Sequence, residues 1–396
     1  MLYLSAENKY YFLIRKLIHP FYKMSFQIPS SIIALLFTVL IITPSDTADE
    51  KRSSDHVLFY PAYGYSSGDD WVIPMRIYVY EYRPGVQSLV RRMFTRIRNL
   101  DEDQQQIFDS RIRDFVVDSE SRETVLFSFD DDPQQEVFGI LDDDGNYKRT
   151  GLNGFVDGEV RISKERVREI TAAQNPADGW LTINAVSDGH PGTGRIKLIE
   201  PEGLSVISDV DDTVKITELP AGSEIVIRNT FYKEYAAAPE MADFYQSFGE
   251  ETAFHYVSGS PWQLFRPLSQ FLFGDEAGFP EGTFHMKSVT KNFLSLNTWR
   301  DLRELVMNED VTFDQKIAQI SQIFEHFPQR DFILIGDSGE ADPEVFSTIR
   351  EMFPDQVRDV YIRDVVNARE LAPERLEDMH IIPAPTIEFG VSQFDE

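Results

Sequence analysis

Apolar residues recur along this chain with two different periods, and the change between them divides it. From Ile73 to Tyr82 they alternate, with Met75, Ile77 and Val79 set between polar neighbours, which predicts a strand with one buried face. Thr124–Phe129, Glu136–Leu141, Gly158–Ile162, Trp180–Val186 and Ile196–Ile199 read as further short strands separated by turn-rich stretches, so residues 49–200 are expected to form a smaller β-rich accessory domain. One helical stretch interrupts it. Over Gln87–Arg113, the residues Leu89, Val90, Met93, Phe94, Ile97 and Leu100 fall at helical spacing, and Arg91, Arg92, Arg96 and Arg98 take the other face. From Gly203 onward the pattern changes to apolar strand candidates, Val206–Val210, Ala253–Ser258, Phe332–Gly336 and Val360–Arg363, with helical stretches between them. Apolar residues at consecutive positions suit strands buried on both faces. Their alternation with helices predicts an α/β domain over 201–370, built on a doubly wound parallel sheet, with 371–396 as a C-terminal extension.

The N-terminus carries a different signal. Ile32–Ile42 is an 11-residue apolar core preceded by Lys9, Arg15, Lys16 and Lys23. Its length is short of the roughly 20 residues of a spanning helix, so residues 1–48 are expected to be a signal peptide or an N-terminal membrane anchor, with Met24 as an alternative start. Either reading puts the bulk of the chain outside the cytoplasm, exported or membrane-anchored.

Composition narrows the chemistry. With 42% hydrophobic and 13% aromatic residues among 396, the chain has material for full cores. Its formal charge of -28, from 38 Lys and Arg against 66 Asp and Glu, argues against nucleic acid as a general partner. An anionic substrate needs a local cation here. The absence of cysteine excludes disulfides, cysteine-ligated zinc and thiol catalysis. The arginine face of the 87–113 helix fits either an anionic membrane surface or salt bridges to the protein's own carboxylates. Asp142-Asp143-Asp144-Gly145 resembles a calcium loop only superficially. With Gly145 in sixth place, Ile140 and Gly151 occupy positions that need acids, so a hairpin turn is expected. Gly189–Gly194 reads as a turn as well.

In doubly wound sheets ligands gather beyond the carboxyl ends of the strands. The first strand ends in Asp209 and Asp211, one residue apart and hence on one face if the strand continues, with Thr213 two further on. A solvated turn in which Asp211-Asp212, followed by Thr213, caps the next helix is the alternative reading. The second strand ends in Ser258, and the third in Gly336-Asp337-Ser338-Gly339-Glu340-Ala341-Asp342. Before the third lies a helix in which Ile317, Ile320 and Phe324 take one face and Lys316 precedes them. Paired carboxylates of this kind can hold a hard divalent cation and divide nucleophilic from proton-transfer work. His255 and His285 lack a metal-ligand spacing and read as structural.

The order DxDxT, a strand ending in serine, a lysine and then GDxxxxD resembles the haloacid-dehalogenase-like phosphatases. The strings Ser208–Lys215, Val257–Trp262, and Phe327-Pro328 with Gly336–Glu340, are similar to the branch typified by the actin-patch phosphatidate phosphatase, over roughly residues 203–366. The resemblance implies a HAD-like, Rossmann-type sheet and a Mg2+-dependent phosphatase. It implies Asp209 as the nucleophile forming an aspartyl-phosphate, and Asp211 as the acid that protonates the leaving alkoxide and then takes a proton from water. Ser258 would bind phosphoryl oxygens, Lys316 would balance charge, and Thr213 would orient the loop. Magnesium would be held by Asp209, the backbone carbonyl of Asp211, Asp337 and, through a water, Asp342. Glu340 competes with Asp342 for the last place, and Lys287 and Lys291 compete with Lys316.

The branch implies a lipid phosphate substrate, phosphatidate giving diacylglycerol and phosphate. Only 49 positions separate Asp209 from Ser258 and 58 separate Ser258 from Lys316, which leaves little room for a lid. Phe231, Tyr232, Tyr235, Phe244, Tyr245, Phe265, Phe271, Phe273 and Phe279 are either an apolar rim for acyl chains or helix core. A soluble phosphomonoester is the alternative substrate. A catalytically silent module that binds membranes or partners is the alternative from another class, and the intact aspartate set argues against it.

Overall fold

The alternating apolar residues of the first half line one side of a long central strand. In the computed structural model, which describes residues 56–82, 88, 92, 99–186, 191–288 and 309–389, strands β1 (His56–Phe59), β2 (Ala62–Ser67) and β3 (Asp70–Glu81) are followed by helix α1 (Glu102–Ile112). Then come β4 (Asp118–Ser119), β5 (Phe127–Phe129), β6 (Phe155–Ser163), α2 (Lys164–Gln174), β7 (Trp180–Ala185) and β8 (Thr193–Leu198). These eight strands form one mixed sheet in which β3 pairs with β1, β2, β4 and β6. Ile73, Met75, Ile77 and Val79 are all buried in its core, as their alternation predicts.

Two elements differ from the sequence expectation. Residues 136–141 make only isolated bridges, Phe127 to Phe138 and Leu141 to Tyr147, because the buried Asp132 carboxylate ties down the amides of Gln134 and Glu136 and holds that backbone in a turn. The helix expected over 87–113 is interrupted. Asn99 has a left-handed φ of 53°, and α1 starts afresh behind Asp101, whose side chain and that of Gln104 form a reciprocal capping box. Most of the arginine-rich stretch before it, like the 1–48 segment and Lys291, lies outside the described residues. Among the described residues no helix is long and apolar enough to cross a membrane. The Asp142–Gly145 stretch is a tight turn, with Asp142 N–H bonded to Asn146 O at 2.8 Å and Gly145 at φ 81°.

After Gly203 the apolar strand candidates build a six-stranded parallel sheet. Its elements are β9 (Glu202–Ser208), α3 (Ser223–Phe231), α4 (Met241–Gln246), β10 (Ala253–Pro261), α5 (Phe265–Leu272), β11 (Thr283–Lys287), α6 (Glu309–His326), β12 (Gln329–Asp337), α7 (Asp342–Met352), β13 (Val357–Asp364), α8 (Ala368–Leu371) and β14 (His380–Pro383). The strand order is β11-β10-β9-β12-β13-β14. Counted within this sheet it is 3-2-1-4-5-6, so the winding reverses at β9, between β10 and β12. Val206 lies opposite Phe254 on one side and Ile333 on the other and is fully buried, as is its neighbour Ile207, which is why consecutive positions of this strand are apolar. The segment beyond residue 370 contributes the edge strand β14, paired to β13.

The aromatic residues weighed as an acyl rim are core instead. Phe231, Tyr245, Phe265 and Phe279 are buried, and Tyr232, Tyr235, Phe244, Phe271 and Phe273 pack against the same cluster. His255 donates to or accepts from Thr283 Oγ1 at 2.8 Å within the packed interior, in keeping with a structural role.

Candidate active site at the carboxyl edge of the parallel sheet

The chain leaves β9 through a turn closed first by backbone bonds. Val214 and Lys215 N–H both bond Val210 O, at 3.1 and 3.0 Å, and Asp212 N–H bonds Lys215 O at 2.7 Å. Asp212 takes a left-handed φ of 58°, which aspartate tolerates better than most residues. Its buried carboxylate accepts the amides of Thr217, Glu218 and Leu219, at 2.8, 2.7 and 2.7 Å. The loop is thereby fixed, with Asp209 and Asp211 presented beyond the strand end.

Asp209 is buried and sits where three elements meet. Its amide bonds Ile335 O on β12 at 2.9 Å, and its Oδ1 accepts from Lys316 Nζ at 2.8 Å. Lys316 occupies the buried stripe of α6, at helical spacing from Ile320, Ile323, Phe324 and Phe327. A lysine on an apolar stripe needs partners for its charge. It has three, because Asp342 Oδ1 lies at 2.6 Å and Glu340 Oε2 at 3.3 Å as well. Burial pulls the Lys316 ammonium down, but Asp209, Asp342 and Glu340 outweigh it and hold the group firmly charged. Among the described residues, Lys316 is the candidate lysine seen in contact with Asp209. Lys287 ends β11, where burial lowers its affinity for a proton, opposed by Glu340.

Asp337 ends β12, and its Oδ1 accepts the amides of Gly339 and Glu340 at 2.6 and 3.2 Å. Asp342 opens α7, where a helix start favours an acid, and its Oδ2 accepts the Asp337 amide at 3.2 Å. Gly336 makes this possible, since a Cβ there would lie 2.5 Å from Asp342 Oδ2. Asp209, Asp337, Glu340 and Asp342 each offer an oxygen, all within 4.8 Å of one another. Four carboxylates against one ammonium leave an excess of negative charge. Burial, opposed by Lys316 and reinforced by Asp342, Glu340 and Asp211, holds the Asp209 carboxyl well above the usual range. Burial and the charges of Asp342, Glu340 and Asp209 do the same to Asp337, and Glu340 is pushed up to about 7, chiefly by burial.

The donor set fits a hard divalent cation. Asp209 Oδ2 and Asp337 Oδ2 are both buried with no hydrogen-bond partner among the described residues. Orphaned carboxylate oxygens are costly unless something cationic meets them. Asp342 has both oxygens engaged, by Lys316 and the Asp337 amide, whereas Glu340 is engaged through Oε2 by Lys316. The Asp211 carboxylate lies outside this group of four.

Asp211 instead has its own set of partners. Its Oδ1 accepts from Lys215 Nζ at 2.8 Å and Thr217 Oγ1 at 2.6 Å, and its Oδ2 from Ser260 Oγ at 2.9 Å and Ser258 Oγ at 3.3 Å. Burial alone would raise its carboxyl, but the Lys215 charge and the bonds from Lys215, Thr217 and Ser260 hold it below the usual range. Ser258 is fully buried at the end of β10 and also accepts the Ser260 amide at 3.0 Å. Thr213 is buried, with its hydroxyl unpartnered among the described residues. A small pocket opens beside Asp211, lined by Leu219, Val226, Thr230, Pro261 and Thr312.

Lys215, Thr217 and Ser260 were given no role from the sequence. Lys215 sits four residues after Asp211 in a run whose neighbours, Val210 and Val214, are fully buried, and that setting is the signal a lysine there needs a carboxylate partner.

Residues 204–364 match the family described as the catalytic domain of phosphatidate phosphatase APP1. The chain is similar to phosphatidate phosphatase APP1 of Saccharomyces cerevisiae, with 28% identity over 246 residues, covering 61% of this chain and 37% of that protein. It is similar to an uncharacterized protein of Schizosaccharomyces pombe, with 28% identity over 178 residues, covering 44% of this chain and 27% of that one. The chain thus spans well under half the length of these curated relatives. The match falls on residues 204–364, which carry every side chain of the site, so it is in the site that the chain is similar to the APP1 phosphatidate phosphatase catalytic domain.

Proposed function

We propose that this chain is a magnesium-dependent phosphatase of the haloacid-dehalogenase-like type that converts phosphatidate to diacylglycerol and phosphate through an aspartyl-phosphate on Asp209. The observation that carries the reading is the state of Asp209, a buried carboxylate with one oxygen held by Lys316 and the other unpartnered among the described residues, in a group where Asp337 likewise keeps an unpartnered oxygen. Such a group is oriented for attack and shielded from water.

In the first half of the reaction a carboxylate oxygen of Asp209 bonds to phosphorus, the ester P–O bond breaks, and Asp211 gives its proton to the departing alkoxide. In the second, water bonds to phosphorus, its proton goes to Asp211, and the bond to Asp209 breaks to free inorganic phosphate. Asp211 is held ionised by Lys215 in the free protein, which suits the second half. A phosphate dianion arriving beside Oδ2 raises its affinity for the proton needed in the first. Ser258 and Ser260, both on Asp211 Oδ2, are within reach of the transferring group, and Lys316 balances charge at Asp209. Asp209 and Asp337, with Glu340 and Asp342 beside them, would hold magnesium, which supplies the positive charge an anionic nucleophile needs to approach an anionic phosphate.

A second reading, a soluble phosphomonoester as substrate, is favoured by one observation. The aromatic residues available for an acyl rim are packed into the core. Measuring phosphate release by the full chain from phosphatidate in mixed micelles and from glycerol and sugar phosphates decides between them. Faster turnover of phosphatidate supports the lipid reading. Equal or slower turnover removes it and leaves the soluble one. The basic, apolar N-terminal segment would place this chemistry outside the cytoplasm or at a membrane.

A further inference from the structure

Lys215 is a buried lysine for which the proposed chemistry has no direct use. It is 1% exposed, and its ammonium is bonded to Asp211 Oδ1 at 2.8 Å and to Thr217 Oγ1. It also lies 5.0 Å from the centre of the Tyr235 ring. The other face of the problem is what Lys215 does not do. The turn carrying Asp209 and Asp211 is closed by backbone bonds and by the Asp212 carboxylate, none of which involves the Lys215 side chain. A lysine is an expensive way to fill that space, since a buried ammonium costs several kcal/mol unless it is paired.

The pairing has a geometric consequence. An aspartate carboxyl turns about its last bond with broad, two-fold freedom. At Asp211 that rotation is stopped, because Lys215 and Thr217 hold Oδ1 on one side while Ser258 and Ser260 hold Oδ2 on the other. The small pocket lined by Leu219, Val226 and Thr312 is also lined by Asp211. A leaving group must sit beside the group that protonates it.

Tyr235 backs Lys215, and the guanidinium of Arg111, from α1, lies 3.4 Å from the centre of the same ring. Arg111 is itself buried and anchored to Thr230 O and Lys233 O at 2.7 and 3.0 Å. The ring is therefore fixed from the accessory half of the chain, and Lys215 is packed against it.

We infer that Lys215 is a positioning residue that locks the Asp211 carboxylate so that one defined oxygen faces the substrate pocket. The inference rests on the phosphatase reading, in which Asp211 handles the proton. Lys215→Met keeps the side chain's length and removes its ammonium. In the full chain, kcat should fall by about tenfold or more while KM stays within about twofold, as for a group that acts only in the transition state. In an Asp211→Asn background the same substitution should cost less than about twofold, because its one target is gone. Lys215→Arg, which keeps the charge, should recover part of the loss.

Two results overturn the inference. One is an equal loss from Lys215→Met with and without Asp211, which marks a general structural role. The other is a rise in KM at constant kcat, which marks substrate binding. If Lys215→Met does not fold, Thr217→Val removes the other donor to Oδ1 and carries the same test. Failure of the underlying reading looks different, since Asp209→Asn and Asp211→Asn would then both retain phosphate release.

Discussion

Lys316 Nζ lies 2.8 Å from Asp209 Oδ1, and this contact joins the apolar face of helix α6 to the carboxyl end of the central strand β9. The same ammonium reaches Asp342 Oδ1 at 2.6 Å, on the first turn of α7. One buried charge thus holds three elements of the parallel sheet's edge in register. It also fixes one oxygen of Asp209 and leaves the other open.

Removing that ammonium should therefore cost both fold and function. Lys316→Met leaves buried carboxylates without their cation, and breaking a buried pair of this kind costs about 3 kcal/mol. Chemical denaturation of chelator-treated protein should show a loss of this size, and phosphate release should be abolished. An unchanged denaturation midpoint would mean that the carboxylates do not depend on Lys316.

Metal binding should be visible without turnover. Magnesium at about 100 times its dissociation constant adds roughly 2.7 kcal/mol to the stability of a protein that binds it only when folded. The thermal midpoint of the chain should rise accordingly with magnesium, and a chelator should reverse the rise. Asp337→Asn removes one of the two open oxygens and should abolish most of the shift. A shift of full size in that variant would move the metal away from Asp337.

Acid stability should depend on a pair far from the site. Burial alone would raise the Asp132 carboxyl, but its hydrogen bond and charge interaction with Arg166 and the amides of Gln134 and Glu136 hold it below the usual carboxylate range. A depressed folded value means that stability is fully present above the unfolded value, about 3.9, and is lost as pH falls through the lower folded one. Asp132→Asn should lower stability near neutrality by about 2 kcal/mol, from charge-assisted bonds lost. The gap to the unsubstituted protein should close below about pH 3.9. A gap independent of pH would assign the effect to packing.

How much of this was legible in the sequence follows burial. The strands β9, β10, β12 and β13 were readable because each carries a buried, predominantly apolar stretch, such as Phe332–Ile335. The edge strands β11 and β14 were not. Thr283-Phe284-His285-Met286-Lys287 mixes polar with apolar residues, and His380–Pro383 is short and ends in proline, as sheet edges often do. Asp209, Asp211, Ser258, Lys316, Asp337 and Asp342 could be named because each stands at a strand end or on a helix stripe in a recognisable order. The structure brings Lys316 to Asp209, Glu340 and Asp342, and Ser258 to Asp211. The turn reading of the Asp211-Asp212 pair was half right in physical terms. Asp212 does tie down a loop with three amides, but from a fully buried position. Lys215 and Ser260 escaped notice because their partner, Asp211, is reached through a turn whose geometry no periodicity encodes.

The most direct test of the account is Asp209→Asn, assayed for magnesium-dependent phosphate release alongside its thermal midpoint. The substitution is isosteric and can keep an oxygen facing Lys316, so the fold should survive. Release should fall by at least about a thousandfold, as loss of a covalent nucleophile does. Full activity in a folded Asp209→Asn protein would contradict the assignment of Asp209 as the group that takes the phosphoryl.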